Sequence, residues 1–111
     1  MEIFFQGRKL QKICSSQKAM VRAYGPRLAD CLQQRLAELE SAETLEDMKF
    51  FPAARCHELM GSRKGQLAVD LIHPKRLIFI PEHDPPPAKS DGGLDWQQVT
   101  RIIIIETVDY H

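Results

Sequence analysis

A cluster of basic side chains surrounds a predicted turn in the middle of the sequence, in the stretch "RCHELMGSRKGQ" at residues 55–66. Arg55, His57, Arg63 and Lys64 all fall in this stretch, which holds a single acidic residue. Guanidinium and ammonium groups bind phosphate oxygens, and an imidazole takes up or releases a proton near neutral pH. These side chains are suited to holding an anion such as a phosphate and to acid–base chemistry on it.

The charge of the chain is segregated, although its sum is zero. Residues 1–36 carry a net charge of +5, residues 37–50 carry −4, residues 51–81 carry +3 and residues 82–111 carry −4. The total charge therefore says little about partners, whereas its distribution permits a local basic surface.

The length of 111 residues and the hydrophobic content of 43% predict one globular domain over residues 1–111. No apolar run approaches the ~18 residues of a membrane-spanning helix, and the first residues lack the features of a secretory signal. Cys14, Cys31 and Cys56 are widely spaced and predict reduced thiols. We expect a cytoplasmic protein without membrane attachment. The four histidines show no metal-ligand spacing, and we expect neither a metal nor another cofactor.

The elements that must position the basic cluster begin with a short strand, "EIFF" at 2–5. Apolar residues then recur at steps of three and four from Leu10 to Tyr24, which predicts one amphipathic helix. Gly25 is suited to end this helix, and Pro26 is suited to the first position of the next.

Four leucines from Leu28 to Leu39 predict the second helix, with Arg35 and Glu38 on its solvent side. The two apolar stripes would face a shared sheet, so we expect the two helices to form a hairpin.

After residue 52 the apolar period changes to two, which predicts strands at 56–59, 66–71, 75–80 and 100–110. Residues 82–97 are rich in Pro, Gly and Asp and predict a loop. The last strand contains four consecutive isoleucines, which cannot alternate in polarity. We therefore expect this strand to be central and covered on both faces.

Residues 43–50 predict a short third helix, with Thr44 as its N-cap. The order of elements is then strand, two helices, a short helix and four strands. This order predicts an α+β fold, with the N-terminal strand and helical hairpin packed on one face of a mostly antiparallel sheet of four or five strands.

Three passages resemble one family of small bacterial proteins. "RCHELMGSRKGQLAVDL" resembles a His-x-Leu-Lys-Gly-x-Arg-x-Gly-Gln segment, "KRLIF" resembles a Trp-Arg-Leu-x-Phe strand, and "ETVDYH" resembles an acidic-Tyr-His ending. These motifs are those of the RelE/ParE superfamily of toxins, and most of all of its HigB-type, or plasmid maintenance killer, branch. The resemblance covers nearly the whole chain, in order and with compatible spacing.

The resemblance implies the toxin of a type II toxin–antitoxin system. HigB-like members cut mRNA on the ribosome, and a cognate antitoxin, often a helix-turn-helix protein, binds and silences them. Metal-free cleavage of RNA needs a base for the 2′-hydroxyl proton, a cation for the charge on phosphorus and an acid for the leaving 5′-oxygen. The resemblance therefore implies an endoribonuclease that needs no cofactor.

Residue by residue, the resemblance implies catalytic roles for four positions. His57 matches the motif histidine and would act as base or acid. Arg76 matches the strand arginine, and its planar fork suits a phosphate. Tyr110 and His111 match the ending and would act as acid, base or base-stacking groups. The cations expected to bind RNA phosphates are Arg63, Lys64, Arg55 and Lys75.

A second interpretation stays open. The family motif has a Lys before its glycine, whereas this chain has Met60, whose thioether can neither hold a proton nor balance a phosphate charge. His57 also fits a half-buried sheet residue, and Arg76 fits an ion pair with Asp70 or Asp109. The alternative is a non-nucleolytic binding protein of the same fold, either a ParE-like gyrase poison or a degenerate toxin that only binds its antitoxin.

Overall fold

The structure, a computed structural model, describes residues 1–109. Its helices are α1 (Arg8–Ile13), α2 (Gln17–Tyr24) and α3 (Pro26–Ser41), and short 3₁₀ helices span Leu45–Phe50, Pro52–Ala54, Gly61–Arg63 and Trp96–Gln98. Its strands are β1 (Glu2–Phe5), β2 (His57–Glu58), β3 (Leu67–Asp70), β4 (Lys75–Pro81) and β5 (Arg101–Asp109). Tyr110 and His111, for which the resemblance implies catalytic roles, lie outside the described residues.

The five strands form one sheet in the order β1-β5-β4-β3-β2. β1 runs parallel to β5, and the other three pairings are antiparallel. The core lies between the helices and one face of this sheet, so the predicted α+β architecture is confirmed. The fully buried core residues with the largest side chains include Leu32, Leu39, Leu45, Met48, Leu67, Leu77, Phe79, Ile102 and Ile104.

The prediction of one helix from Leu10 to Tyr24 is wrong, because two serines interrupt it. The Ser16 hydroxyl accepts a hydrogen bond from the Ala19 N–H at 3.1 Å and caps the start of α2. The Ser15 hydroxyl donates to the Lys12 carbonyl at 2.6 Å, at the end of α1. These hydroxyls take over backbone partners that a continuous helix would have used.

The third predicted helix is a 3₁₀ helix, Leu45–Phe50, whose Leu45 and Met48 side chains are buried. Thr44 precedes it, but the Thr44 side chain makes no capping hydrogen bond. The Asp47 carboxylate instead accepts from the Glu43 N–H at 3.0 Å.

The placement of Arg35 and Glu38 on the solvent side of α3 is also wrong, since both side chains are buried. Arg35 Nη1 lies 3.1 Å from Glu38 Oε1, so each charge has a partner one helical turn away. Burial of a charged group in a protein interior requires such a partner.

β5 lies between β1 and β4 and is therefore an inner strand, as predicted. The expectation that it is covered on both faces is wrong. Ile102 and Ile104 are fully buried under the helices, whereas Ile103 and Ile105 point to the opposite side and are only partly buried. We call this opposite side of the sheet the open face. Its residues in the sheet include Phe4, His57, Ala68, Asp70, Arg76, Ile78, Ile80, Ile103 and Val108. Leu59, Ala68 and Ile78 form a small buried cluster on this face, so the face is exposed only in part.

The loop predicted at 82–97 crosses the end of the sheet and reaches its far edge. Trp96 Nε1 donates a hydrogen bond to Glu58 Oε2 in β2 at 3.0 Å. Lys49 Nζ lies 5.8 Å from the centre of the Trp96 ring, which adds a cation–π contact. β2 spans only two of the four residues predicted for it, and this loop supports it from outside.

The sequence predicted that no segment of the chain forms a membrane-spanning helix. Within residues 1–109, each helix is too short or too polar to cross a bilayer.

Candidate functional site

Two arginines converge on one carboxylate at one end of the open face. Arg55 Nε donates to Asp70 Oδ2 at 2.7 Å, and Arg76 Nε lies 3.3 Å from Asp70 Oδ1. Asp70 in β3 and Arg76 in β4 are directly opposite in the antiparallel register, so the sheet itself fixes their distance. We call Arg55, Asp70 and Arg76 the arginine pair site. It brings together two of the predicted residues, and it includes one of the two acids that the sequence offered as partners of Arg76.

The backbone at Arg55 is held in an unusual conformation. Arg55 has a φ of 46° and ends the 3₁₀ helix Pro52–Ala54, and it is the only non-glycine residue among positions 1–109 with a positive φ. A left-handed backbone costs a residue with a Cβ about 1–2 kcal/mol. The hydrogen bond to Asp70 raises the pKa of the Arg55 guanidinium, a group that is charged at physiological pH even without this contact. The Arg55 side chain is 60% exposed, so this cation can be reached from solvent.

His57 lies on the same face as the arginine pair site. His57 pairs with Ala68, which lies two residues before Asp70 in β3. The Cα atoms of His57 and Asp70 are therefore offset by about 7 Å along the strand direction. His57 Nδ1 lies 2.7 Å from the Arg55 carbonyl oxygen. A carbonyl only accepts, so Nδ1 carries the proton and Nε2 of the neutral ring keeps the lone pair. The left-handed turn at Arg55 thus orients the imidazole as well as the guanidinium.

The predicted phosphate ligands in the turn behave differently from each other. Arg63 Nη1 donates to Gln66 Oε1 at 2.8 Å and lies 3.4 Å from Glu106 Oε2 in β5, so Arg63 folds back over the open face. Lys64 is exposed in the turn. Of these two cations, only Arg63 is held in position by its contacts, and its charge is matched by a carboxylate.

Lys75 forms an exposed ion pair with the Asp109 carboxylate, at 2.7 Å. Pairs of this kind contribute about 0–1 kcal/mol, so Lys75 can exchange Asp109 for another anion. Lys75 and Arg63 each face one carboxylate, while the two guanidinium groups of Arg55 and Arg76 share Asp70.

The arginine pair site is a surface site rather than a deep pocket. The cavity between Arg55, Asp70, His73 and Lys75 has a volume of about 40 Å³. A water molecule occupies about 30 Å³ of liquid, so the cavity cannot enclose a nucleotide. A ligand would lie across the open face, with a single anionic group reaching the two guanidinium groups.

Arg35 is a positioning residue that sequence reasoning missed. Its Nε donates to the Asp70 carbonyl at 2.7 Å, and its Nη2 donates to the Ala53 carbonyl at 3.2 Å. It therefore ties α3 both to the strand that carries Asp70 and to the turn that carries Arg55. The spacing of Arg35 and Glu38 was the available signal, since an i,i+3 pair of opposite charges can neutralise itself in the interior.

Two other features of the segment carry no catalytic signal. The Cys56 thiol next to His57 is not activated, because burial raises its pKa to about 12. Met60, in place of the motif lysine, is 78% exposed. No group of three or more His, Cys, Asp or Glu side chains in the described part of the chain is arranged to hold a metal ion.

Comparison with known proteins identifies the fold. No protein-family model and no curated protein sequence matches this chain. Among solved structures, a YoeB/ParE toxin from Agrobacterium tumefaciens matches over 100% of both chains, with a TM-score of 0.54 and 9% sequence identity. The chain thus has a RelE/ParE-like fold.

Proposed function

We propose that this chain, as a single domain over residues 1–111, is the toxin of a type II toxin–antitoxin module of the HigB-type branch. It acts in the cytoplasm as an endoribonuclease that cleaves mRNA on the ribosome without a metal or other cofactor. A cognate antitoxin, a helix-turn-helix protein, silences it. The observation that carries this proposal is the convergence of Arg55 and Arg76 on one carboxylate, on the same face of a RelE/ParE-like fold as His57.

The chemistry follows from the charges at the arginine pair site. A scissile phosphate competes with Asp70 for the two guanidinium groups, and two oxygens of a phosphate can accept two parallel hydrogen bonds from an arginine fork. The negative charge on the phosphoryl oxygens grows in the transition state. Arg76, which is 21% exposed and lies opposite Asp70 in the sheet, would therefore stabilise the transition state more than the ground state.

His57 is the proposed proton acceptor. Its Nε2 lone pair takes the proton from the 2′-hydroxyl, which then attacks the adjacent phosphorus and displaces the 5′-oxygen of the next nucleotide. The products are a 2′,3′-cyclic phosphate and a 5′-hydroxyl. Tyr110 and His111 are proposed to supply the proton to the leaving oxygen or to stack on a base, while Arg63, Lys64 and Lys75 bind flanking phosphates.

The test is cleavage of a ribosome-bound mRNA by the wild-type protein. We expect cleavage in the presence of a chelator, with a cyclic phosphate at the new 3′ end. An mRNA with a single 2′-deoxynucleotide at the cut position should stay intact there, because the nucleophile is missing. If the mRNA stays uncut when the protein saturates the ribosomes, the proposed nuclease activity is excluded.

The binding-protein alternative is favoured by one observation, the apolar Met60 where the motif has a lysine. We expect Met60→Lys to raise the cleavage rate by about tenfold or more, because it restores the cation that the family motif has at this position, where it would contact the RNA phosphates. Met60 is 78% exposed, so the free energy of unfolding should not change. Met60→Gln, similar in length but uncharged, is the matched control.

The two interpretations separate on the wild-type rate in the same assay. Cleavage by both proteins supports the nuclease. Cleavage by Met60→Lys alone means that the natural chain is a binder, and trapping of cleaved DNA on gyrase by the wild type would then identify a gyrase poison.

A further inference from the structure

β1 is an edge strand with half of its backbone hydrogen-bonding groups directed outward. The Glu2 N–H donates to the Thr100 carbonyl at 3.0 Å and the Gln6 N–H donates to the Ile104 carbonyl at 2.9 Å, so residues 2, 4 and 6 face β5. Successive residues of a strand alternate in direction, so Ile3 and Phe5 present their N–H and C=O groups to the other side. Within residues 1–109, no second strand pairs with β1.

The outer side of β1 is open beside Ile3 and Phe5, while at its start the Met1 amino group donates to the carbonyls of Leu39, Glu40 and Ala42 at the end of α3. A groove of about 510 Å³ runs beside it and is lined by residues 1–5 together with Cys14, Leu36 and Glu40. Phe4, on the open face, is 43% exposed. A further strand would therefore meet both free backbone groups and an exposed aromatic ring.

The other edge of the sheet is protected in a way that β1 is not. β2 has two residues, and Trp96 from the loop at 82–97 is hydrogen-bonded to Glu58 beside it. Proteins protect their edge strands from pairing with other chains by shortening or covering these strands, or by placing lysine and proline in them. β1 has four residues, "EIFF", of which three are large and apolar. An edge of this composition is suited to pairing with another strand.

The two ends of β1 carry opposite charges. Glu2 and Glu40 lie at its start, beside the end of α3. Its other end leads into α1, which begins with Arg8 and Lys9. An antiparallel second β1 would place the acidic start of one copy against the basic end of the other, at both ends of the pair.

We propose that β1 pairs antiparallel with β1 of a second copy of this chain, joining two sheets into one. The outward groups determine the register. Ile3 exchanges hydrogen bonds with Phe5 of the second copy and Phe5 with its Ile3, so the two-fold axis passes beside Phe4. The two Phe4 rings then face each other as a non-hydrogen-bonded pair, the closest type of cross-strand pair.

The test is sedimentation equilibrium of the pure chain over a range of concentrations, without RNA, so it does not depend on nuclease activity. We expect a monomer–dimer equilibrium in the wild type. Phe4→Lys should raise the dissociation constant at least about tenfold, since it removes the aromatic pair and sets two like charges at the axis. Phe50→Lys, the same change at a residue that is 78% exposed elsewhere, should leave it unchanged.

A charge exchange tests the orientation of the pair. Glu40→Lys and Arg8→Glu should each weaken self-association, while a mixture of the two variants should recover it, because opposite charges again meet at both ends of the mixed pair. A wild type that stays monomeric at its highest soluble concentration would overturn the proposal. So would equal effects of Phe4→Lys and Phe50→Lys, or a mixture that associates no better than its components.

Discussion

Replacing Arg76 by alanine is expected to lower the rate of mRNA cleavage by about 10²–10³-fold, the loss typical of removing one fixed donor from a developing negative charge. Arg76 is the more buried of the two cations at the arginine pair site, since its side chain is 21% exposed against 60% for Arg55, and it faces Asp70 across the sheet. The measurement is the single-turnover rate on ribosome-bound mRNA at saturating protein.

Two controls separate this effect from a loss of folding. Arg101→Ala removes another sheet arginine that pairs with a carboxylate, Glu82 at 3.3 Å, away from the site, and should keep the wild-type rate. Arg76→Lys retains the charge but loses the planar fork, so its rate should fall between wild type and Arg76→Ala. A folded Arg76→Ala protein with an unchanged rate would exclude the arginine pair site as the catalytic centre.

Replacing Arg35 by alanine is expected to lower the free energy of unfolding by about 3–5 kcal/mol, because it leaves the buried Glu38 carboxylate without its charged partner, with only the Gln34 amide still donating to it. The Asp70 and Ala53 carbonyls lose their donors in the same step. Small domains are stable by only about 5–15 kcal/mol, so this variant should unfold at a much lower urea concentration.

The matched control is Arg27→Ala on the exposed side of the same helix, which should change the free energy of unfolding by less than about 0.5 kcal/mol. The double variant Arg35→Met with Glu38→Leu removes both buried charges and should recover much of the loss. An Arg35→Ala variant as stable as Arg27→Ala would show that the buried pair does not support the fold.

The sheet could be predicted from the sequence because period-two patterns survive wherever one face of a strand is buried. The same reasoning failed for β5, since four isoleucines give no sign of which face lacks a cover. It also failed at Ser15 and Ser16. The apolar spacing continues through these residues, but their hydroxyls form hydrogen bonds with the backbone and interrupt the helix. Periodicity describes burial, and hydrogen bonds from side chains to the backbone act against it locally.

The candidate site was predictable as a set of residue types but not as a charge arrangement. The sequence indicated His57, Arg55 and Arg76; the strand register places His57 and Arg76 on one face, and Arg55 joins them through its ion pair with Asp70. The sharing of Asp70 by two arginines depends on the left-handed turn at Arg55, for which the sequence offers no glycine or asparagine as a signal. The part played by Arg35 was hidden by the rule that charged residues on a helix face solvent. The roles of Tyr110 and His111 remain predictions.

The contact between Trp96 and Glu58 gives this protein a built-in optical probe. The chain contains one tryptophan, so its tryptophan emission, excited at wavelengths that tyrosine does not absorb, arises at a single place. That place is the indole bound to the residue next to His57, with the Lys49 ammonium over its ring. The intensity and wavelength of this emission therefore report on the neighbourhood of β2 without an attached dye. Binding of the proposed RNA ligand can be tested by titration with intrinsic fluorescence as the signal.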